Sequence, residues 1–308
     1  MEPIRTVHIV GMGALGLLFG DPIARNLGGG QPRYVMDAER KRRHGGETYT
    51  INGRTVEPVM VTPDEAEPAD LVMVGVKYPA LDEALDAMAS SVGPDTIVLS
   101  LMNGVDSEAR IAERYGAEKV LLSVSQGMDA QRYGSELVFT QPGQLFVGVP
   151  AGADGALTVK LDHVCAFFDA VKLPYTREPE ILYRQWSKFM LNVGCNQVCM
   201  VYDQGYGPCM VPGSEAFAMM TGAMREVCAI ASALEIPVGE KEVAQYLNIL
   251  RTLDPLALPS MGQDRRQGKR SEVDMFAGVV IDYGKKLGIE TPVNEFLMRR
   301  VREIEAAY

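Results

Sequence analysis

The 308 residues predict an α/β fold in two parts. A mostly parallel sheet with helices on both faces occupies residues 1–178, and an all-helical domain occupies 179–308. Three observations carry this. An apolar strand at Val7–Val10 runs straight into the glycine-rich turn Gly11-Met12-Gly13-Ala14-Leu15-Gly16. Short apolar runs then alternate with segments of helical period. From about residue 180 the strand signals stop and only long helical patterns remain.

Strand, GxGxxG and helix in that order form the dinucleotide-binding fingerprint. Gly11 permits the tight turn, Gly13 lets the backbone approach a pyrophosphate, and Gly16 lets the next helix pack close to the strand. The helix N-terminus then faces the phosphate charge. Asp37 lies 21 residues beyond Gly16, just after the apolar stretch 34–36. An acid near that distance bonds the adenosine ribose hydroxyls. The reading is therefore of an NADH or NADPH site made by Gly11, Met12, Gly13, Ala14, Leu15, Gly16 and Asp37.

The remaining strands are expected at 34–36, 71–76, 97–101 and 120–124, with helices at 80–89 and 107–115 among them. Two stretches read as hairpins: 48–61 around Asn52-Gly53, and 136–149 around Pro142-Gly143. A helix at 156–171 and a short strand near Pro174 follow. The second half predicts helices at 182–201, 214–234, 241–253, 271–287 and 292–307. Thr291 before Pro292 reads as an N-cap with proline at the first helical position. A ligand is expected in the cleft between the two domains.

Composition narrows the class. The chain is 47% hydrophobic and 23% charged, as in ordinary globular proteins. A net charge of −10 argues against nucleic acid or an anionic membrane as partner. The chain opens into a strand and holds no run long enough to span a bilayer, which predicts a cytoplasmic protein. Five cysteines without a signal segment read as free thiols. Cys195 and Cys199 lie one helical turn apart, but none of His8, His44 and His163 is near them in sequence. They read as buried fillers, and no metal site is expected.

Two helices carry polar residues in unusual places. Lys188, Asn192 and Asn196 are spaced four apart and line one stripe of a helix otherwise rich in Trp186, Met190, Leu191, Val193, Val198 and Val201. Two amides and a lysine form either a sheltered polar wall or a plain exposed stripe. In the helix near Ser271, Glu272 aligns with Phe276, Val279 and Tyr283, where a carboxylate is costly unless paired or functional. Asp274 reads as solvent-facing. Ser260 offers a hydroxyl or a helix cap.

Together these residues resemble the ketopantoate reductase (2-dehydropantoate 2-reductase) family across nearly the whole chain. The resemblance rests on GMGALG at 11–16, VGVK ending at Lys77 and MNG around Asn103. It continues through WSKFMLNVGCN at 186–196, SMGQD at 260–264 and SEVDMFAG at 271–278. It implies a Rossmann domain followed by a helical domain like that of 6-phosphogluconate dehydrogenase. By position it implies that Lys188 is the general acid for a ketone oxygen, and that Asn192 and Asn196 hold the substrate hydroxyl. It also implies that Ser260 binds the substrate carboxylate and that Glu272 is a supporting or ribose-contacting carboxylate. Lys77, Asn103, Ala130 and Glu272 join the cofactor contacts, and Asn103 also faces substrate.

The sequence departs from the family pattern twice. Many members carry an arginine after the second strand, where it meets the 2′-phosphate of NADPH; here the position is Asp37. That predicts a modest NADH preference, although Arg40, Lys41, Arg42 and Arg43 follow closely. Tyr206 stands where an asparagine often helps hold substrate. The implied function is NAD(P)H-dependent reduction of ketopantoate to pantoate in pantothenate and coenzyme A synthesis. The alternatives are reduction of another branched 2-oxo acid or, from a different class, non-catalytic NAD(P) sensing. Related proteins are often dimers, and the apolar helices permit a homodimer.

Overall fold

In the computed structural model, residues 2–308 are described, and the chain divides into two compact units. Among the described residues the first comprises 2–103 and Ser107–Ile181, and the second Gly104–Asp106 and Leu182–Tyr308.

The first unit contains strands β1 Val7–Val10, β2 Arg33–Val35, β3 Tyr49–Ile51, β4 Arg54–Val56, β5 Val59–Val61, β6 Leu71–Val74, β7 Ile97–Ser100, β8 Val120–Met128, β9 Gln131–Tyr133, β10 Glu136–Val138, β11 Pro142–Gly148 and β12 Tyr175–Arg177. Its helices are α1 Ala14–Asn26, α2 Ala38–His44, α3 Leu81–Ala87, α4 Ser107–Tyr115 and α5 Gly155–Ala170. Eight strands form one sheet in the order β12-β11-β8-β7-β6-β1-β2-β5. The run from β5 to β8 is parallel throughout, and β11 returns antiparallel on β8. Strand order reverses beside β1, which is the crevice where doubly wound sheets bind ligands.

Alternation along the central strands explains why both faces are buried. Ile9, Met73, Leu99 and Leu121 enter one core with Leu17 of α1 and Phe168 of α5. Val10, Val72, Val74 and Val98 enter the other, with Leu81 of α3 and Ile111 of α4. His8 on β1 is buried with its Nδ1 2.8 Å from Ser91 Oγ. Burial, then the Arg33 charge, lowers its pKa to about 4, so it stays neutral at pH 7.

A smaller sheet has the order β4-β3-β10-β9. The Asn52-Gly53 hairpin forms as expected, with φ of 47° and 77° at the two turn residues. The second expected hairpin does not. Glu136–Val138 pairs with β9 through a turn at Gly134-Ser135, and Pro142 opens β11 opposite Met128. Proline is tolerated at the first residue of a strand, so Pro142-Gly143 marks a strand start and not a turn.

The second unit is helical: α6 Ile181–Tyr202, α7 Tyr206–Cys209, α8 Glu215–Ala233, α9 Glu240–Leu250, α10 Ser260–Arg266, α11 Val279–Leu287 and α12 Pro292–Glu305. Among the described residues no helix is long and apolar enough to cross a membrane. α6 and α8 meet at Gly194, where an added Cβ would lie 2.6 Å from Met224 side-chain atoms and 3.1 Å from the Met220 carbonyl. Thr291 takes the N-cap position of α12, but its hydroxyl makes no capping bond. The Glu226 carboxylate of α8 accepts instead from the Val293 and Asn294 N–H groups at 2.7 and 3.0 Å.

Candidate active site

In the first unit the expected cofactor residues gather at one end of the parallel strands. Gly11–Gly16 follow β1, Asp37 follows β2, Lys77 follows β6, Asn103 follows β7 and Ala130 follows β8. The turn is built as the motif requires. Gly11 has φ +107°, and a Cβ there would lie 2.6 Å from the Gly75 carbonyl behind β6. A Cβ on Gly16 would lie 2.0 Å from the Gly11 carbonyl. Gly13 differs: its Cβ would meet nothing of the chain nearer than 3.8 Å. Packing therefore does not demand glycine at 13, whereas a diphosphate pressed against that backbone does. The residues fit a dinucleotide.

Asp37 is exposed and caps α2, its Oδ1 accepting from the Arg40 N–H at 2.8 Å. Oδ2 lies 3.3 Å from Arg40 Nε. The backbone bond from Arg40, then that residue's charge, holds the carboxyl below the usual range. Arg40 also meets Glu83 at 3.3 Å, and Lys41 is bonded to Glu65, while Arg42 and Arg43 are exposed. Lys77 is exposed and begins a short 3-10 turn, Tyr78–Ala80.

In the second unit the amphipathic puzzle of α6 is resolved. Lys188 and Asn192 are half-buried and Asn196 is only 4% exposed, so the stripe is sheltered. Trp186 packs edge-on against Phe189 and Tyr283 at 5.8 and 5.4 Å. Burial penalises the ammonium and draws the Lys188 pKa from 10.5 down to about 8.

Two expected substrate ligands are brought together. Ser260 Oγ donates to Asn196 Oδ1 at 2.8 Å, and the Met261 N–H reaches the same oxygen at 3.2 Å. Further along α10, Arg265 donates to the Met200 and Val201 carbonyls of α6. α10 is thus held along α6 from both ends.

Glu272 is 8% exposed and lies one helical turn from Phe276, but its regular stripe with Val279 and Tyr283 is broken. It precedes a wide π turn at Asp274–Gly278, which shifts the residues after it around the helix. Its carbonyl receives the Met275 and Phe276 N–H groups at 3.0 and 3.2 Å. Asp274 is exposed and meets Arg302 at 2.8 Å.

All five cysteines are free thiols, and burial pushes Cys195 up to about 12. Among the described residues no group of His, Cys, Asp and Glu is arranged to hold a metal. Sequence reasoning missed the buried Gln197, which donates to the Val193 carbonyl and to Asn294 Oδ1 at 2.8 and 3.0 Å. A glutamine adjoining Asn196 in an apolar helix was the available signal.

A doubly wound unit with this turn at its switch point, followed in sequence by helices bearing a sheltered lysine and two amides, defines an NAD(P)-dependent oxidoreductase. Residues 7–152 match the family described as ketopantoate reductase PanE/ApbA, and residues 180–305 match its C-terminal counterpart. The chain belongs to the ketopantoate reductase family. It is 28% identical over 242 residues to the 2-dehydropantoate 2-reductase of Vibrio cholerae, covering 78% of this chain and 79% of that one. It is 25% identical over 307 residues to that of Archaeoglobus fulgidus, covering 98% and 99%. Among solved structures, the PanE/ApbA family ketopantoate reductase of Ralstonia eutropha is similar at TM-score 0.82 and 25% identity, covering 98% and 99%. D-mandelate dehydrogenase in a ternary complex with NADH and anilino(oxo)acetate shares the fold at TM-score 0.81 and 24% identity, covering 98% and 99%.

Proposed function

We propose that the chain reduces ketopantoate to pantoate with NAD(P)H, and that Lys188 is the proton donor. The supporting observation is Lys188 itself: a half-buried ammonium whose pKa lies near 8, on one stripe with Asn192 and Asn196. When bound, a reduced nicotinamide supplies a hydride. Negative charge then builds on the ketone oxygen, and an ammonium at hydrogen-bonding distance stabilises it and yields its proton. A pKa of about 8 leaves Lys188 mostly protonated at pH 7, yet a better acid than an exposed lysine. Asn192 holds the hydroxyl-bearing end of the substrate. Ser260 turns to the substrate carboxylate the hydroxyl proton that it otherwise gives Asn196, Asn103 contacts both substrate and cofactor, and Glu272 supports the reacting centre. Gly11 to Gly16, Asp37, Lys77 and Ala130 line the dinucleotide.

NADH is the favoured nicotinamide in this reading. A second anion beside the charged, exposed Asp37 is repelled by roughly 1–2 kcal/mol. Arg40 and Lys41 already serve carboxylates. Reduction of another branched 2-oxo acid is the second reading, favoured by Tyr206 and by the likeness to D-mandelate dehydrogenase. A homodimer is proposed on the likeness to a dimeric ketopantoate reductase of Staphylococcus aureus. The test is a cofactor-oxidation assay with ketopantoate, simpler 2-oxo acids and phenylglyoxylate, run with each nicotinamide. Highest kcat/KM with ketopantoate and NADH supports the proposal. Highest kcat/KM with phenylglyoxylate moves the substrate to the second reading, and no turnover with any acid despite cofactor binding revives the sensor.

A further inference from the structure

We propose that Arg132, from the small sheet, is a positioning residue for the dinucleotide diphosphate. It lies on β9, far in sequence from the glycine turn, and its Nη1 donates to the Met12 carbonyl inside that turn. Its Nε donates to the Gly134 carbonyl at 2.7 Å, in the turn that ends β9. Its guanidinium stands over the Tyr49 ring, 5.7 Å from the centroid. Tyr49 is 1% exposed, and its hydroxyl is bonded to His44 at the end of α2 and to Glu47. Backbone, ring and charge therefore hold the guanidinium in one place.

The consequence follows from peptide geometry. Met12 C=O and Gly13 N–H belong to one planar trans peptide and point in opposite directions. Fixing the oxygen on Arg132 aims the Gly13 N–H away from the small sheet. Gly13 is the turn residue whose Cβ position the chain leaves open. A second carbonyl of the same turn is held from β2, where Tyr34 Oη donates to Gly16 at 3.2 Å. Two carbonyls of the motif are thus held by the chain itself. Less ordering then remains for diphosphate binding to cost.

The inference rests on the reading of residues 11–16 as the dinucleotide turn. ADP-ribose, which carries the diphosphate without nicotinamide, separates the two. NADH and ADP-ribose are titrated into the wild type, Arg132→Ala and Arg132→Lys, and steady-state constants are measured in parallel. Arg132→Ala is expected to weaken both ligands about tenfold and raise the cofactor KM alike. At saturating cofactor, kcat and the 2-oxo acid KM stay within about twofold. Arg132→Lys keeps one donor but not the fork, so it falls between; it also serves if the alanine variant fails to fold. Wild-type affinity for ADP-ribose in both variants, or a fall in kcat with cofactor KM unchanged, overturns the role of Arg132 alone. A wild-type protein that binds neither ligand overturns the reading of the turn itself.

Discussion

Asn196 Oδ1 accepts the Ser260 hydroxyl at 2.8 Å, and the Met261 N–H adds a second bond to the same oxygen. The amide of α6 thereby caps α10, whose own preceding residue, Pro259, offers no side-chain cap. Losing a buried acceptor leaves both donors unsatisfied, at about 1–3 kcal/mol. Asn196→Ala is therefore expected to lower the melting temperature and to raise the 2-oxo acid KM, because Ser260 loses its anchor. Ser260→Ala removes only one donor and should raise KM with a smaller thermal shift. Calorimetry with steady-state kinetics on both variants checks this; equal melting points for Asn196→Ala and wild type would refute it.

Gly194 sets how closely α6 approaches α8. A methyl there must displace the Met224 side chain and press on the Met220 carbonyl. Gly194→Ala is expected to destabilise the protein by about 1–3 kcal/mol despite alanine's better helix propensity. Chemical denaturation of the two proteins measures the difference, and a more stable alanine variant would show that the helices separate freely.

Asp37 caps α2, and the proposed NADH preference gives it a second, selective role. Asp37→Asn keeps a capping oxygen for the Arg40 N–H and removes the charge facing a 2′-phosphate. The ratio of kcat/KM for NADH over NADPH should fall in this variant, by roughly tenfold for a repulsion of about 1.4 kcal/mol. An unchanged ratio would mean that the aspartate does not select the cofactor.

Much of this was legible in residue order. The glycine turn, Asp37 and the alternating apolar runs locate the parallel sheet, since strands buried on both faces leave continuous apolar signals. The polar stripe on α6 stood out because two amides and a lysine interrupt an apolar helix, but only the fold decided that it is sheltered and not an exposed face. Three features were not readable. Pro142-Gly143 carries turn residues but starts a strand, because Gly134-Ser135 makes the turn nearby. Glu272 lost its expected alignment with Val279 and Tyr283, though not with Phe276, because a π turn breaks the 3.6-residue period that sequence reasoning assumes. Arg132 gave no signal: its partner lies 120 positions away, and long-range bonds leave no local pattern.

The proposed proton donor, Lys188, sets a pH dependence for the reduction. Burial lowers its pKa to about 8, so the proton-donating form is complete below that value and lost above it. The kcat/KM for the 2-oxo acid, at saturating cofactor, should fall with rising pH through an apparent pKa near 8. A profile flat to pH 10 would assign the proton to another group.

Proton delivery by Lys188 is tested most directly by stopped-flow single turnover of Lys188→Ala with NADH and ketopantoate, beside a fluorescence titration of NADH. Cofactor affinity is predicted to match the wild type while hydride transfer slows by about 10²–10⁴. Transfer at a near wild-type rate would contradict it.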